Sequence, residues 1–239
     1  MALPLAVAGG SLAVGLRAAN DSSSLIWWDW VGDHLDDIGA DLVRHIQLTA
    51  VAVGAGLLVS TPLALLARRY RPLATPILAV SGILYTIPSI ALLYLLGPFT
   101  GFTSFLTVEV ALVTYTLLIL VRNIVTGLDS VSEDVREAAR GMGYTNTAML
   151  WEVEIPLALP SIVAGVRIAT VTTIGLATLA ALLTQGGLGE LILDGIARRF
   201  PTPLMVGSLL AIALAVLADL LLLGVQRAVS PWARARTPA

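Results

Sequence analysis

The sequence has no cysteine and no lysine, so all 14 of its basic side chains are arginine. Without cysteine there are no disulfides, thiolate metal ligands or cysteine nucleophiles. Without lysine the phosphate-binding pattern G-x-x-x-x-G-K-[ST] cannot be written. The chain therefore does not hydrolyse ATP by that route, and any energy from ATP must come from another chain. Histidine is scarce: His34 and His45 are the only two. Neither stands at a recognisable motif spacing from a serine or carboxylate, and no H-E-x-x-H pair exists, which argues against a protease or a metalloenzyme. Charge is sparse as well, with 13% charged residues and a formal net charge of -2, against ~25% charged in ordinary soluble domains. A nucleic-acid binder would show a basic face, and that is missing. No internal repeat or low-complexity tract occurs.

What is present is apolar length. Of 239 residues, 57% are hydrophobic, and the mean hydropathy is +0.88. This composition specifies an all-α integral membrane protein. Residues 42–67 form one span, ended by Arg68, Arg69 and Arg71. A basic cluster after a span marks the cytoplasmic side, so this helix runs inward. Residues 73–97 return outward, 98–103 turn outside, and 104–128 run inward, with Arg122 near the inner end. Residues 156–183 then go outward, 184–202 form an external loop, and 203–225 come inward, leaving Arg227, Arg234 and Arg236 on the cytoplasmic side. The expected fold is five core spans, with residues 1–19 either an accessory sixth span or a signal-like segment. In residues 20–41, Asp29, Asp33, Asp36, Asp37 and Asp41 share one side of a helical projection, and Trp30, Leu35, Ile38 and Leu42 share another. Trp27 and Trp28 suit a headgroup-level anchor. The acidic side is a solvated face or a cation site. Three regions follow: 1–41 as an accessory and interfacial segment, 42–227 as the transmembrane domain, and 228–239 as a cytoplasmic tail.

The most charged piece between apolar runs is residues 130–160. Ser130 and Glu133 have the spacing of a capping box, which predicts a helix start near Val131. Val131, Val135, Ala138, Ala139 and Met142 fall on one face, and Glu133, Asp134, Arg136, Glu137 and Arg140 on a solvated one. Gly141 and Gly143 can close this helix in a left-handed conformation, and Thr145 or Asn146 can cap a second one reaching Trp151. A helix pair with an apolar docking face is expected over residues 130–152.

At these residues the chain resembles the membrane permeases of ATP-binding cassette (ABC) importers. Their EAA motif is Glu-Ala-Ala, three residues, Gly, nine residues, then Ile-x-Leu-Pro. Here Glu137, Ala138 and Ala139 lead to Gly143 at that distance, and Val153, Ile155 and Pro156 take the closing positions, with Val for Ile and Ile for Leu. The resemblance implies cytoplasmic coupling helices that dock on separate ATPase subunits, in which ATP and Mg are bound. Val135, Glu137, Ala138, Ala139, Gly141, Met142, Gly143, Ile155 and Pro156 become the candidate coupling residues. It also implies a second permease subunit, either a copy or a homologue, and an extracytoplasmic substrate-binding protein. The chain itself is then a non-catalytic subunit, with no cofactor or metal of its own, in a bacterial or archaeal cell membrane.

The strings Tyr85-Thr86-Ile87-Pro88-Ser89, Ala164-Gly165-Val166-Arg167 and Gly186-Gly187-Leu188-Gly189 make the chain similar to permeases for glycine betaine, carnitine, choline and proline. That similarity spans residues 42–227 and implies import of a small quaternary-amine or zwitterionic osmoprotectant. The alternatives are a permease for methionine or another small amine, and a secondary transporter or channel working without an ATPase. Pro88 kinks a span beside the pathway or simply improves packing. Tyr85, Thr86, Ser89 and Tyr94 are pathway candidates, and tyrosine faces attract quaternary ammonium groups. Charges at membrane depth are functional candidates. Glu109 lines the outer mouth or snorkels to the interface, while Arg167 and Asp219 pair with each other or with a partner subunit to hold register. Gly186, Gly187 and Gly189 seal an outer gate, receive the binding protein, or only turn the chain.

Overall fold

The computed structural model describes residues 26–230. Residues 1–25 and 231–239, and with them the accessory segment 1–19, Arg234 and Arg236, lie outside the described residues. Among the described residues there is no strand. Four helical stretches are long and apolar enough to cross a membrane: Leu35–Arg69, Phe105–Asp129, Asn146–Leu183 and Pro201–Val229. A fifth candidate is a helix pair, Arg71–Thr86 and Ser89–Thr100, bent by 100°.

We number the helices α1 (Trp28–Asp33), α2 (Leu35–Arg69), α3 (Arg71–Thr86), α4 (Ser89–Thr100), α5 (Phe105–Asp129), α6 (Glu133–Gly141), α7 (Asn146–Met149), α8 (Ile155–Ala177), α9 (Leu188–Ala197) and α10 (Pro201–Val229). The expected boundary between an interfacial helix and the first span, at residues 41 and 42, falls inside α2. The helical break comes earlier, at His34, because Ile38 is already buried against Leu188 and Leu191. Leu35 departs from the expected apolar side and is 61% exposed.

α2, α5 and α8 form the centre, with α10 packed on α8 and α9. Small residues set the close approaches. A Cβ at Gly56 would collide with the Thr116 side chain, and one at Gly165 with Asn123. Arg44 lies over the Phe105 ring and Gly56 meets Thr116, so α2 and α5 run parallel. Gly165 against Asn123 and Ser161 against Gly127 make α8 antiparallel to α5. The ends of α2, α5 and α10 and the start of α8 thus gather at one arginine-rich end.

The second core span is where structure and expectation part most. The kink expected at Pro88 is a full break: α3 and α4 meet at Ile87 and Pro88 rather than continuing as one helix over 73–97. At 1.5 Å per residue, 16 residues of α3 reach ~24 Å, short of a ~30 Å hydrocarbon core. Proline has no N–H to continue the ladder, and a carbonyl left open at such a site needs another donor. The hydroxyl of Tyr115 on α5 donates to the Ile87 carbonyl. The region expected as an external loop, 184–202, contains α9, packed against α10.

Candidate coupling site

α6 begins two residues later than expected. Ser130 terminates α5, and its hydroxyl donates to the Gly127 carbonyl at 2.7 Å, so it is not available to cap the next helix. Ser132 takes the N-cap position without a side-chain cap bond. At the other end, Gly143 has φ +87°, and its N–H donates to Arg140 O at 2.9 Å while Tyr144 N–H donates to Ala139 O at 3.1 Å. This is the paired closure that a left-handed residue after a helix provides. Gly141 instead remains helical as the last residue of α6. Thr145 caps α7 by accepting from Ala148 N–H at 3.2 Å.

The expected apolar face divides. Val131 and Ala139 turn inward, with 5% and 1% exposure, while Val135, Ala138, Met142 and Glu137 face out. Met142 is 71% exposed. Glu137 has no side-chain hydrogen bond or ion pair among the described residues. Ile155 and Pro156 are half-buried in the first turn of α8.

Arg136, expected on the solvated side, points inward. Its Nε donates to Glu154 at 2.8 Å and its Nη2 to the Leu128 carbonyl at 2.9 Å. Glu154 closes a π-helical turn, Leu150–Glu154, and is buried at 4% exposure. Its carboxylate also accepts two bonds from Arg68, in the last turn of α2, at 2.6 and 2.7 Å. Arg68 approaches Asp129 at 3.7 Å. Farther out, Glu133 accepts from Arg140 at 2.7 Å and from Arg136 at 3.1 Å. Arg140 first, and Arg136 second, hold the Glu133 carboxyl below the usual glutamate range. Between α6 and the span ends lies a cavity of about 580 Å³, lined by Leu65, Arg68, Arg136, Arg140 and Glu154 among others.

Sequence reasoning missed Glu154 and misplaced Arg136. A signal existed: Glu154 is a carboxylate directly preceding a long apolar run, where burial demands a counter-charge.

The pathway candidates gather at the α3–α4 break. Tyr85, Thr86 and Pro88 are exposed there, Ser89 is half-buried, and Tyr94 on α4 is 50% exposed beside Phe102. Tyr85 also meets Tyr115 edge-on. Glu109 is elsewhere: at 6% exposure it neither snorkels nor opens on the surface of this chain, and both carboxylate oxygens lack a hydrogen-bond partner. Arg167 and Asp219 meet directly, with Nε and Nη2 donating at 2.8 to 3.0 Å and Nη1 reaching Gln226 at 2.9 Å. Gln226 in turn donates to the Pro160 carbonyl at 2.9 Å, so α8 and α10 are tied at two levels. Gly187 and Gly189 are buried and Gly186 is half-buried. Gly187 lies against His45, and a Cβ at Gly189 would strike the Thr178 carbonyl. His45 is fully buried and bonded through Nε2 to the Ile174 carbonyl at 2.9 Å.

Residues 53–235 match the family described as "Binding-protein-dependent transport system inner membrane component". The chain belongs to that family. Among its relatives, the osmoprotectant import permease protein OsmW of Salmonella typhimurium is 41% identical over 192 residues, covering 79% of this chain and 89% of the relative. The glycine betaine/carnitine/choline transport system permease protein OpuCB of Bacillus subtilis is 34% identical over 188 residues, covering 79% and 86%. In fold, the chain is similar to the inward-facing MetNI methionine ABC transporter, with a TM-score of 0.72 at 23% identity, covering 82% of this chain and 98% of the other. As an inner membrane component, it is a multi-pass permease subunit of a binding-protein-dependent transport system.

Proposed function

We propose that this chain forms, with a second permease subunit, the pathway of an ATP-driven importer for a small quaternary-amine or zwitterionic osmoprotectant. The cargo class rests on the relatives, which are named for osmoprotectants, glycine betaine, carnitine and choline. ATP and Mg act in separate ATPase subunits, and an extracytoplasmic binding protein delivers the substrate. The observation that carries the reading is that Val135, Ala138 and Met142 are exposed on a helix closed at Gly143, at the spacing of the EAA motif. Apolar side chains left outside beside a cavity lined by arginines suit a protein groove better than bulk water. Arg68, Arg69, Arg71 and Arg227 at the same end support a cytoplasmic position for it. Differential binding of the ATPase partners in two states would then bias the spans between outward-open and inward-open arrangements. Arg167 and Asp219 keep α8 and α10 in register through that change.

Because the chain contains no cysteine, Met142→Cys offers a unique thiol. Paired with a cysteine in the ATPase groove, it should cross-link in the assembled complex. Gly143→Leu forces a side chain into a left-handed backbone at about 1–2 kcal/mol. The variant should still insert into the membrane but lose uptake of labelled glycine betaine, choline or carnitine by at least tenfold. Normal uptake in that variant, or no cross-link from Met142→Cys, defeats the docking reading.

A further inference from the structure

We propose that Glu154 is the positioning residue through which a displacement of α6 reaches α2 as well as α8. This deepens the docking reading and rests on it. α6 has little close packing of its own. The element it packs against most is α7, and an open cleft of about 580 Å³ lies between its Arg136 and Arg140 side and the ends of α2 and α5. Its apolar anchor is Ala139. Its other tie to the spans is Arg136, which binds the Glu154 carboxylate at 2.8 Å and the Leu128 carbonyl closing α5 at 2.9 Å. The same carboxylate holds Arg68 of α2 through two bonds of 2.6 and 2.7 Å. Covalently, α6 continues only into α5 and α7, whereas Arg68 is distant in sequence, 86 residues from Glu154. One buried carboxylate thus joins α6 to two spans, α2 and α8, while Arg136 itself reaches the third, α5.

The backbone is shaped for this. Leu150–Glu154 adopts a π-helical turn immediately before α8. Successive residues of an α-helix are ~100° apart around its axis, so the wider turn re-aims Glu154 relative to the face α8 would otherwise give it. Charge-assisted, forked bonds to arginine carry direction as well as strength, so pushing α6 moves Arg136, Glu154 and Arg68 together. A neutral amide at position 154 would fill the same space and lose the paired charges.

The test uses the reconstituted complex of permease, ATPase and binding protein in proteoliposomes, comparing Glu154→Gln, Glu154→Asp and Arg68→Lys with the parent. Glu154→Gln should assemble, keep the half-saturating substrate concentration within twofold, and lower the maximal uptake rate at least tenfold. Glu154→Asp should recover uptake to within about threefold, and Arg68→Lys should fall between the two. The Met142→Cys cross-link should still form in the Glu154→Gln background. Uptake within twofold of the parent in Glu154→Gln overturns the relay. So does an equal loss in Glu154→Gln and Glu154→Asp accompanied by failed assembly, which makes Glu154 a folding residue. Cross-linking that fails in the parent defeats docking itself, whereas intact cross-linking with normal Glu154→Gln uptake defeats only the relay.

Discussion

The arginine-rich end and the α3–α4 break are both departures from plain helical spans, yet they are held in opposite ways. At the first, Glu154 is bound by two arginines, each with a further polar partner, and four helices converge on the cluster. At the second, a 100° bend is closed by one side-chain hydrogen bond, from Tyr115 to Ile87, amid exposed Tyr85, Thr86 and Pro88. A cluster held by several charge-assisted bonds should move as a unit, whereas a break held by one side-chain hydrogen bond and apolar packing of Ile87, Leu92 and Leu93 should yield first. Under the proposed relay, transmission of force belongs to one end and local rearrangement to the other.

The sharpest way to break that contrast is Arg68→Ala. It removes the forked partner of a carboxylate buried at 4% exposure, leaving Arg136 as the remaining counter-charge. Removing one member of a buried pair is strongly destabilising, and with half the pairing retained the loss should be about 3 kcal/mol. Thermal unfolding in detergent should show it as a clear drop in midpoint. A midpoint unchanged from the parent would mean that the cluster is not over-determined.

How much of this contrast was legible beforehand varies by residue. Apolar run length located the spans, and the Glu137 to Gly143 spacing located the turn, because both are local signals. The Arg167–Asp219 pair was readable too, since two opposite charges at similar membrane depth have few other partners. The Ser130 cap was misjudged because α5 continues to Asp129 and claims that hydroxyl for its own last turn. Arg136 was misjudged because amphipathic patterning treats charge as solvent-seeking, whereas its partner is 18 residues away across a turn. The donor that meets the open Ile87 carbonyl at the Pro88 break is Tyr115, 28 residues on, which no local rule connects to it. Local chemistry is written in neighbouring residues; the partners that redirect it are not.

Tyr115→Phe tests the weaker region. It keeps the ring in its buried site and removes the donor to Ile87, leaving a carbonyl unsatisfied at about 1–2 kcal/mol. Stability in detergent should fall by that amount. If the break is the part that rearranges, uptake kinetics should change while the Met142→Cys cross-link is unaffected. A simultaneous loss of cross-linking would show that the two regions are not independent. Asp219→Asn should cost less, about 1 kcal/mol, because the amide oxygen can still accept from Arg167, which also keeps Gln226. The effect should appear in stability with uptake nearly preserved. A large uptake defect would place the pair in the pathway instead.

The smallest effect separates the exposed rim of the arginine cluster from its buried centre. Glu133 is held below the ordinary glutamate range first by Arg140 and then by Arg136. A depressed folded-state value means that the pairing contributes fully above the unfolded value and is lost as pH falls through the folded one, on the acid side of the usual glutamate range. Glu133 and Arg140 are more than half exposed, at 54% and 52%, so solvent screens the pair and the global unfolding midpoint should scarcely move. The response should be local: a probe attached at Met142→Cys should gain mobility, read by fluorescence anisotropy, as pH falls below the usual glutamate range. Glu133→Gln has no carboxylate to titrate and should already show the acid-side mobility at neutral pH, with a flat profile. An identical titration in both variants would assign the transition to another group, and would mean that the rim of the cluster adds nothing to what Glu154 holds at its centre.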